Sequence, residues 1–182
     1  MSTILILYTS VEGQTARIAA HMAQILGQLG HSVETRQADA KGIDRPWSRF
    51  DGIIIGASIH YGHHPAFLPA LLRRHRAELL SRPSAFFSVS LSGGGPGARP
   101  MTAQRYIDKF QRQVDWHPQQ VASIGGALQY SKYAAWKRAV MRMIVGFAGG
   151  DTDMTRDYEY TDWKAVGEFA LVFATRLVPA TR

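Results

Sequence analysis

Residues 9–15 read Thr-Ser-Val-Glu-Gly-Gln-Thr and sit between an apolar run and a helical pattern. Thr9, Ser10 and Thr15 offer hydroxyls, Gln14 a side-chain amide, and Gly13 a backbone that can approach a ligand closely. A helix starting here adds its unpaired first amides and the positive end of its dipole to those donors. Such a set suits a phosphate monoester held mostly by neutral groups. The lysine of a triphosphate-binding loop is missing, as is the GxGxxG of dinucleotide folds. An ordinary helix cap by Thr9 or Ser10 would use the same residues, so the turn by itself leaves both readings open.

A second set of candidates follows the next apolar strand, in "IIIGASIHYGHHPAF". Tyr61 is either a packing residue at a strand end or an aromatic neighbour of a planar ligand. His60, His63 and His64 are metal-ligand types, but adjacent histidines in a loop without a carboxylate partner do not make a metal site, and none is expected. The 182 residues contain no cysteine. Disulfides, thiolate metal sites, iron–sulfur clusters and a cysteine nucleophile are thereby excluded.

These loops need strands and helices to hold them. An apolar fraction of 46% and a charged fraction of 19% are those of an ordinary globular chain. The length suits one domain spanning 1–182. "TILILYT" is a continuous apolar run, as in a parallel strand covered on both faces, and Gly13 to Leu29 has helical spacing before Gly30. "HSVETRQ" alternates like an edge strand, whereas "DGIIIGAS" and "SAFFSVSLS" are short buried strands. "PAFLPALLRRHRAELL" reads as one helix with Pro65 in its first turn. A helix over 101–114 follows, then "QQVASIGGAL" as a fifth strand and a last helix from about Asp162 to Leu177. Alternating strands and helices predict a doubly wound parallel α/β sheet of order 2-1-3-4-5. Ligands of such sheets gather beyond the carboxyl ends of the strands, which singles out loops 9–15, 57–64, 90–97 and 125–130. Trp47, Trp116 and Trp163 are expected in the core or at its boundary.

An insert of about 129–160 exceeds what a crossover requires. Trp136, Val140, Met143, Ile144 and Phe147 share one helical face, with Lys137, Arg138 and Arg142 outside it. That face packs on its own sheet, or meets a membrane surface or a second copy. Its basic-aromatic composition and its surplus to the sheet favour the latter pair. The formal net charge of +7 resides entirely within 79–150, where nine bases face two acids. This suits an anionic partner such as phosphate lipid, nucleic acid or a carboxylated small molecule; the alternative is a solvated basic face. No nucleic-acid motif is recognisable. The N-terminus has no basic leader and no long apolar stretch, and no segment has the length of a membrane span.

"TSVEGQT" after the first strand resembles the phosphate loop of flavodoxins, and "IIIGASIHYGH" and "SVSLSGGGPG" resemble their two ring-facing loops. The resemblance implies FMN as cofactor. Thr9, Ser10, Gly13, Gln14 and Thr15 would hold its phosphate, while Ser58, Ile59, Tyr61, Gly62, Leu91 and Ser92 would approach the ring. Together with "IGGALQYSKY", "GGDTD" and "YTDW", the likeness extends over nearly the whole chain to the flavodoxin-like protoporphyrinogen IX dehydrogenases of haem synthesis. It implies oxidation of protoporphyrinogen IX, with electrons passed to menaquinone or ubiquinone, by a cytoplasmic protein bound peripherally to the inner face of the membrane, with a possible homo-oligomer. Lys132, Trp136, Lys137, Arg138 and Arg142 become candidates for substrate or membrane contact. Unlike the loop of many electron-carrier flavodoxins, Leu91 to Gly97 holds neither an acid nor a tyrosine, which would favour two-electron reduction and leave one ring face open to substrate. No general base is assigned. A flavodoxin-like electron carrier, a general quinone reductase and a basic non-enzymatic binding domain are the alternatives.

Overall fold

The computed structural model describes residues 1–43, 45–132, 146 and 151–177. The expected contact residues Trp136, Lys137, Arg138 and Arg142, and the side chain of Lys132, lie outside the described residues.

Five strands form one parallel sheet: β1 (Thr3–Thr9), β2 (Ser32–Gln37), β3 (Gly52–Ser58), β4 (Ser84–Ser90) and β5 (Gln120–Gly125), in the order β2-β1-β3-β4-β5. The sequence-based order therefore holds. Successive residues of β1, β3 and β4 point to opposite faces, and both faces are covered, which is why these strands read as unbroken apolar runs. Leu5, Leu7, Ile53, Ile55 and Phe86 pack in one core layer with Phe110 and Trp116. Ile4, Ile6, Ile54, Ala85 and Phe87 pack in the other, with Ile18, Met22 and Phe173.

The second layer is built by α1 (Gln14–Gln28) and, beyond two short helices, by the last helix. The helix expected over Pro65 to Leu80 is broken into α2 (Leu68–Arg74) and α3 (Arg76–Leu80). Pro65 stays outside, its carbonyl accepting from the Leu68 N–H at 3.0 Å, and Pro69 occupies the first turn instead. His75 leaves helical dihedrals (φ −109, ψ 21) where its ring stacks on Trp47 at 4.0 Å between centroids. This tertiary contact overrides the helical periodicity around it. α4 (Pro100–Val114) closes the first layer, and α5 (Trp163–Ala174) begins at Asp162, whose carboxylate accepts from the Ala165 N–H at 3.0 Å.

The expected fifth strand is also split. β5 ends at Gly125, and β6 (Ala127–Leu128) pairs antiparallel with β7 (Tyr158–Glu159). The break follows from close packing: a Cβ on Gly125 would lie 2.2 Å from the Tyr160 carbonyl oxygen. This small ribbon gathers the two ends of the insert, as does Asp157, whose carboxylate accepts from the Ser131 amide at 2.8 Å. Among the described residues, no helix is long and apolar enough to cross a membrane.

The sheet has little spare volume at its centre. A Cβ on Gly56 of β3 would fall 2.1 Å from Cζ of the fully buried Phe87. Gly56→Ala is expected to cost about 1–3 kcal/mol through overpacking, read as a lower midpoint in urea unfolding.

Candidate functional site: the carboxyl edge of the sheet

Gly13 initiates α1 with φ 96 and ψ −14, a left-handed conformation that favours glycine. The simple capping alternative holds for only one amide: Ser10 Oγ accepts from the Gly13 N–H at 3.0 Å, while α1 itself has no side-chain cap. Its first amides and dipole end remain available to an anion. Thr15 is buried in this first turn. Gln14 is buried too, and its amide is engaged: Nε2 donates to Thr161 Oγ1 at 2.8 Å, and Oε1 accepts from Arg17 Nη1 at 3.1 Å. Thr161 Oγ1 in turn donates to the Gly125 carbonyl at 2.7 Å.

That chain of contacts straps the turn to the segment returning from the insert. Arg17 Nη1 also donates to Glu159 Oε2 at 2.7 Å and lies 5.3 Å from the Trp163 ring centroid, while Trp163 Nε1 donates to Glu159 Oε1 at 2.7 Å. Burial works against charge on Glu159, but the hydrogen bonds from Arg17 and Trp163 outweigh it and hold the carboxyl below its ordinary range. Trp163 is thus a boundary residue, whereas Trp47 and Trp116 belong to the core.

After β3 the chain makes a tight hairpin. His60 and His63 exchange backbone hydrogen bonds at 2.9 and 3.0 Å, with Tyr61 (φ 49) and Gly62 (φ 80) between them. Two consecutive positive φ angles define a type I′ turn, which glycine adopts freely and tyrosine does not. Tyr61 is nevertheless 74% exposed, so no packing explains its strained backbone. After β4, Leu91–Gly93 forms a single 3-10 turn. The glycines that follow let this loop lie on neighbouring backbone: a Cβ on Gly94 would come 2.8 Å from the Tyr160 carbonyl.

The three loops enclose a cavity of about 230 Å³ at the point where strand order reverses. Of the expected residues, Ser10, Gln14, Thr15, Ser58, Ile59, Tyr61, Gly62, Leu91 and Ser92 line it. Thr9 and Gly13 do not, although Thr9 ends β1 and Gly13 sets the turn. Val11, Glu12, His60, Ser90, Gly126 and Ala127 lie in the loops that the sequence singled out but were not named as site residues, and Val89, just before one of those loops, was missed. Tyr106 was missed for another reason: it projects from within α4, where periodicity records only a residue beside the apolar stripe.

The polar atoms at this edge indicate what it can hold. Thr9 Oγ1, Ser58 Oγ and Ser90 Oγ are buried without a hydrogen-bond partner among the described residues. They occupy the last positions of β1, β3 and β4. Leaving such a group unsatisfied costs about 1–3 kcal/mol, so three at one edge favour a ligand rich in oxygen and nitrogen. Together with the uncapped helix start, they fit a phosphorylated, hydrogen-bonding ring system such as a flavin nucleotide.

A five-stranded doubly wound sheet with a hydroxyl-rich turn after β1 and facing loops after β3 and β4 defines a flavodoxin-type domain. The flavodoxin domain family matches residues 5–155. Oxidised flavodoxin 1 from Bacillus cereus shares the fold, with a TM-score of 0.54 over 97% of this chain and 100% of that one, at 15% identity. Protoporphyrinogen IX dehydrogenase (quinone) of Escherichia coli strain K12 is 37% identical over 167 residues, covering 91% of each chain. The protein of the same name from Leishmania major is 37% identical over 173 residues, covering 93% of this chain and 74% of that one. The chain belongs to the protoporphyrinogen IX dehydrogenase (quinone) family within the flavodoxin-like proteins.

Beneath the hairpin, His64 Nε2 lies 3.0 Å from Ser88 Oγ, and the ring packs against Phe110 and Phe86 at 4.8 and 5.6 Å between centroids. Burial disfavours its charged form and lowers its pKa to about 4. Since the unfolded chain retains the ordinary value of 6.5, it binds the extra proton first as pH falls. His64 therefore weakens the fold progressively from pH 6.5 down to about 4, by on the order of 3 kcal/mol in total. His64→Phe is expected to flatten this part of the stability profile, measured by urea unfolding at a series of pH values.

Proposed function

We propose that this chain binds FMN at the carboxyl edge of its sheet and uses it to oxidise protoporphyrinogen IX to protoporphyrin IX, passing the electrons to a quinone. The observation that carries the reading is that β1, β3 and β4 each end, at the sheet edge where α1 starts uncapped, in a buried hydroxyl without a hydrogen-bond partner among the described residues: Thr9, Ser58 and Ser90. Membership of a family whose relatives are named for this reaction supports the choice of substrate and acceptor.

The phosphate would be held by Ser10, Thr15 and the first amides of α1, with Thr9 behind them and Gly13 setting the turn. Gln14 contributes by fixing that turn to Thr161, which keeps the amides aimed. Ser58, Ile59, Gly62, Leu91 and Ser92 would border the ring, and Tyr61 would offer it an aromatic face. When bound, the flavin supplies the two-electron acceptor that the protein side chains lack. Strain at Tyr61 is consistent with a residue kept for contact rather than for stability. Peripheral contact with a membrane, where a quinone is met, belongs to the same proposal and draws support from the basic segment 79–150.

FMN-loaded protein is expected to oxidise protoporphyrinogen IX to porphyrin anaerobically when a menaquinone analogue is supplied, three quinones being reduced per porphyrin, whereas without it each bound FMN can take only two of the six electrons and porphyrin should reach at most about a third of the flavin. A yellow protein that reduces quinones yet leaves protoporphyrinogen untouched would mark a carrier or general reductase instead. Tyr61→Gly tests the ring contact. Relief of left-handed strain, roughly 1–2 kcal/mol, offsets the entropy cost of glycine, so the flavin-free protein should unfold at an unchanged or higher urea concentration. Its FMN dissociation constant should rise by about tenfold, measured by flavin fluorescence quenching, as aromatic stacking is lost.

A further inference from the structure

A second cavity of about 270 Å³ shares Gly62 and Tyr106 with the first. One wall is a face of α4 carrying Tyr106, Lys109, Phe110 and Gln113, at i, i+3, i+4 and i+7. His63 and His64 line it from the hairpin, and Ala66 and Pro69 from the approach to α2. Among the described residues, none that lines it is acidic. Lys109 has no ion pair, and the Tyr106 hydroxyl no hydrogen-bond partner, among the described residues. Burial keeps His64 uncharged near neutral pH, and Lys109 is the one lysine or arginine among the described lining residues.

The boundary between the cavities is low. Gly62 has no side chain, and Tyr106 Oη stands 3.8 Å from where a Cβ on Gly62 would be. A molecule lying against a ligand in the first cavity can therefore extend an arm into the second. The space is too small for a tetrapyrrole macrocycle and ample for a short side arm.

We infer that this second cavity is a carboxylate pocket receiving one propionate arm of the tetrapyrrole, with Lys109 as its charge partner and Tyr106 and Gln113 as neutral donors. The inference rests on the function proposed above. A quinone carbonyl is neutral and would gain less from an unpaired ammonium than a carboxylate does, since charge-assisted hydrogen bonds are about twice as strong as neutral ones. Anchoring an arm here holds the macrocycle beside the first cavity while leaving its reacting carbons outside the second. It also assigns substrate recognition to α4, separate from the insert.

The test uses FMN-loaded full-length protein, unmodified and as Lys109→Met and Lys109→Arg. Protoporphyrin IX binding is titrated by porphyrin fluorescence against its dimethyl ester, and KM is measured for protoporphyrinogen IX and for a menaquinone analogue. Lys109→Met should weaken protoporphyrin IX binding and raise the protoporphyrinogen KM by about tenfold, with Lys109→Arg recovering most of the loss. The dimethyl ester should bind the unmodified protein more weakly than the acid and be indifferent to Lys109→Met, and the quinone KM should not move. Equal binding of acid and ester, an unchanged protoporphyrinogen KM in Lys109→Met, or a shift confined to the quinone KM would each overturn the pocket while leaving the reaction intact. Failure of the unmodified protein to oxidise protoporphyrinogen at all would remove the proposed function, and this inference with it.

Discussion

Strands buried on both faces cannot carry charge along their length, so their polar chemistry is confined to their ends. β1, β3 and β4 follow this constraint: their interiors carry no charged residue and are mostly apolar, the buried Ser88 of β4 being partnered by His64, and each ends in a buried hydroxyl at the same sheet edge. Parallel register places those ends side by side, Thr9 opposite Ala57 and Ser58 opposite Val89. A hydroxyl sealed from water and given no protein partner is a cost the fold bears until a ligand satisfies it. The edge is therefore organised for binding by the same register that builds the core.

The turn after β1 is held from a distance. Gln14 and Arg17 reach Thr161 and Glu159, and Thr161 reaches back to Gly125 at the end of β5. Because β7 also pairs with β6, the base of the insert, the turn after β1 and the fourth sheet-end loop form one hydrogen-bonded unit. Ordering any one of them supports the other two. The Arg17–Glu159 pair is partly exposed and is worth little by itself; its geometry matters more than its energy.

The loop after β4 shows how composition and shape work together. Its glycines permit approach to the Tyr160 carbonyl and ring, and a Cβ on Gly95 would meet Tyr160 Cδ1 at 2.5 Å. Tyr160 donates to Asp151 Oδ2 at 2.7 Å, and burial together with that carboxylate raises its pKa, keeping the hydroxyl protonated. The aromatic absent from Leu91 to Gly97 is thus supplied by the returning chain, but it packs on the loop and does not line the cavity. Among the described residues, the cavity has aromatic side chains at Tyr61, Tyr106 and His60 only.

Sequence alone determined the sheet, its order and the turn after β1. Apolar runs, helical spacing and one glycine at a strand-to-helix turn are local signals, and each reports what its own segment must bury or which dihedrals it must adopt. Most of the cavity lining was legible for that reason, since residues at strand ends are placed by the strands. Only the tertiary structure decided the rest. Two helices replaced one where His75 found Trp47, Tyr61 was forced into a left-handed turn, and Gly125 met Tyr160. Tyr106 and Lys109 entered the story because α4 packs beside the hairpin. Contacts between segments far apart in the chain depend on register and on the fit of whole layers, and no local pattern encodes them.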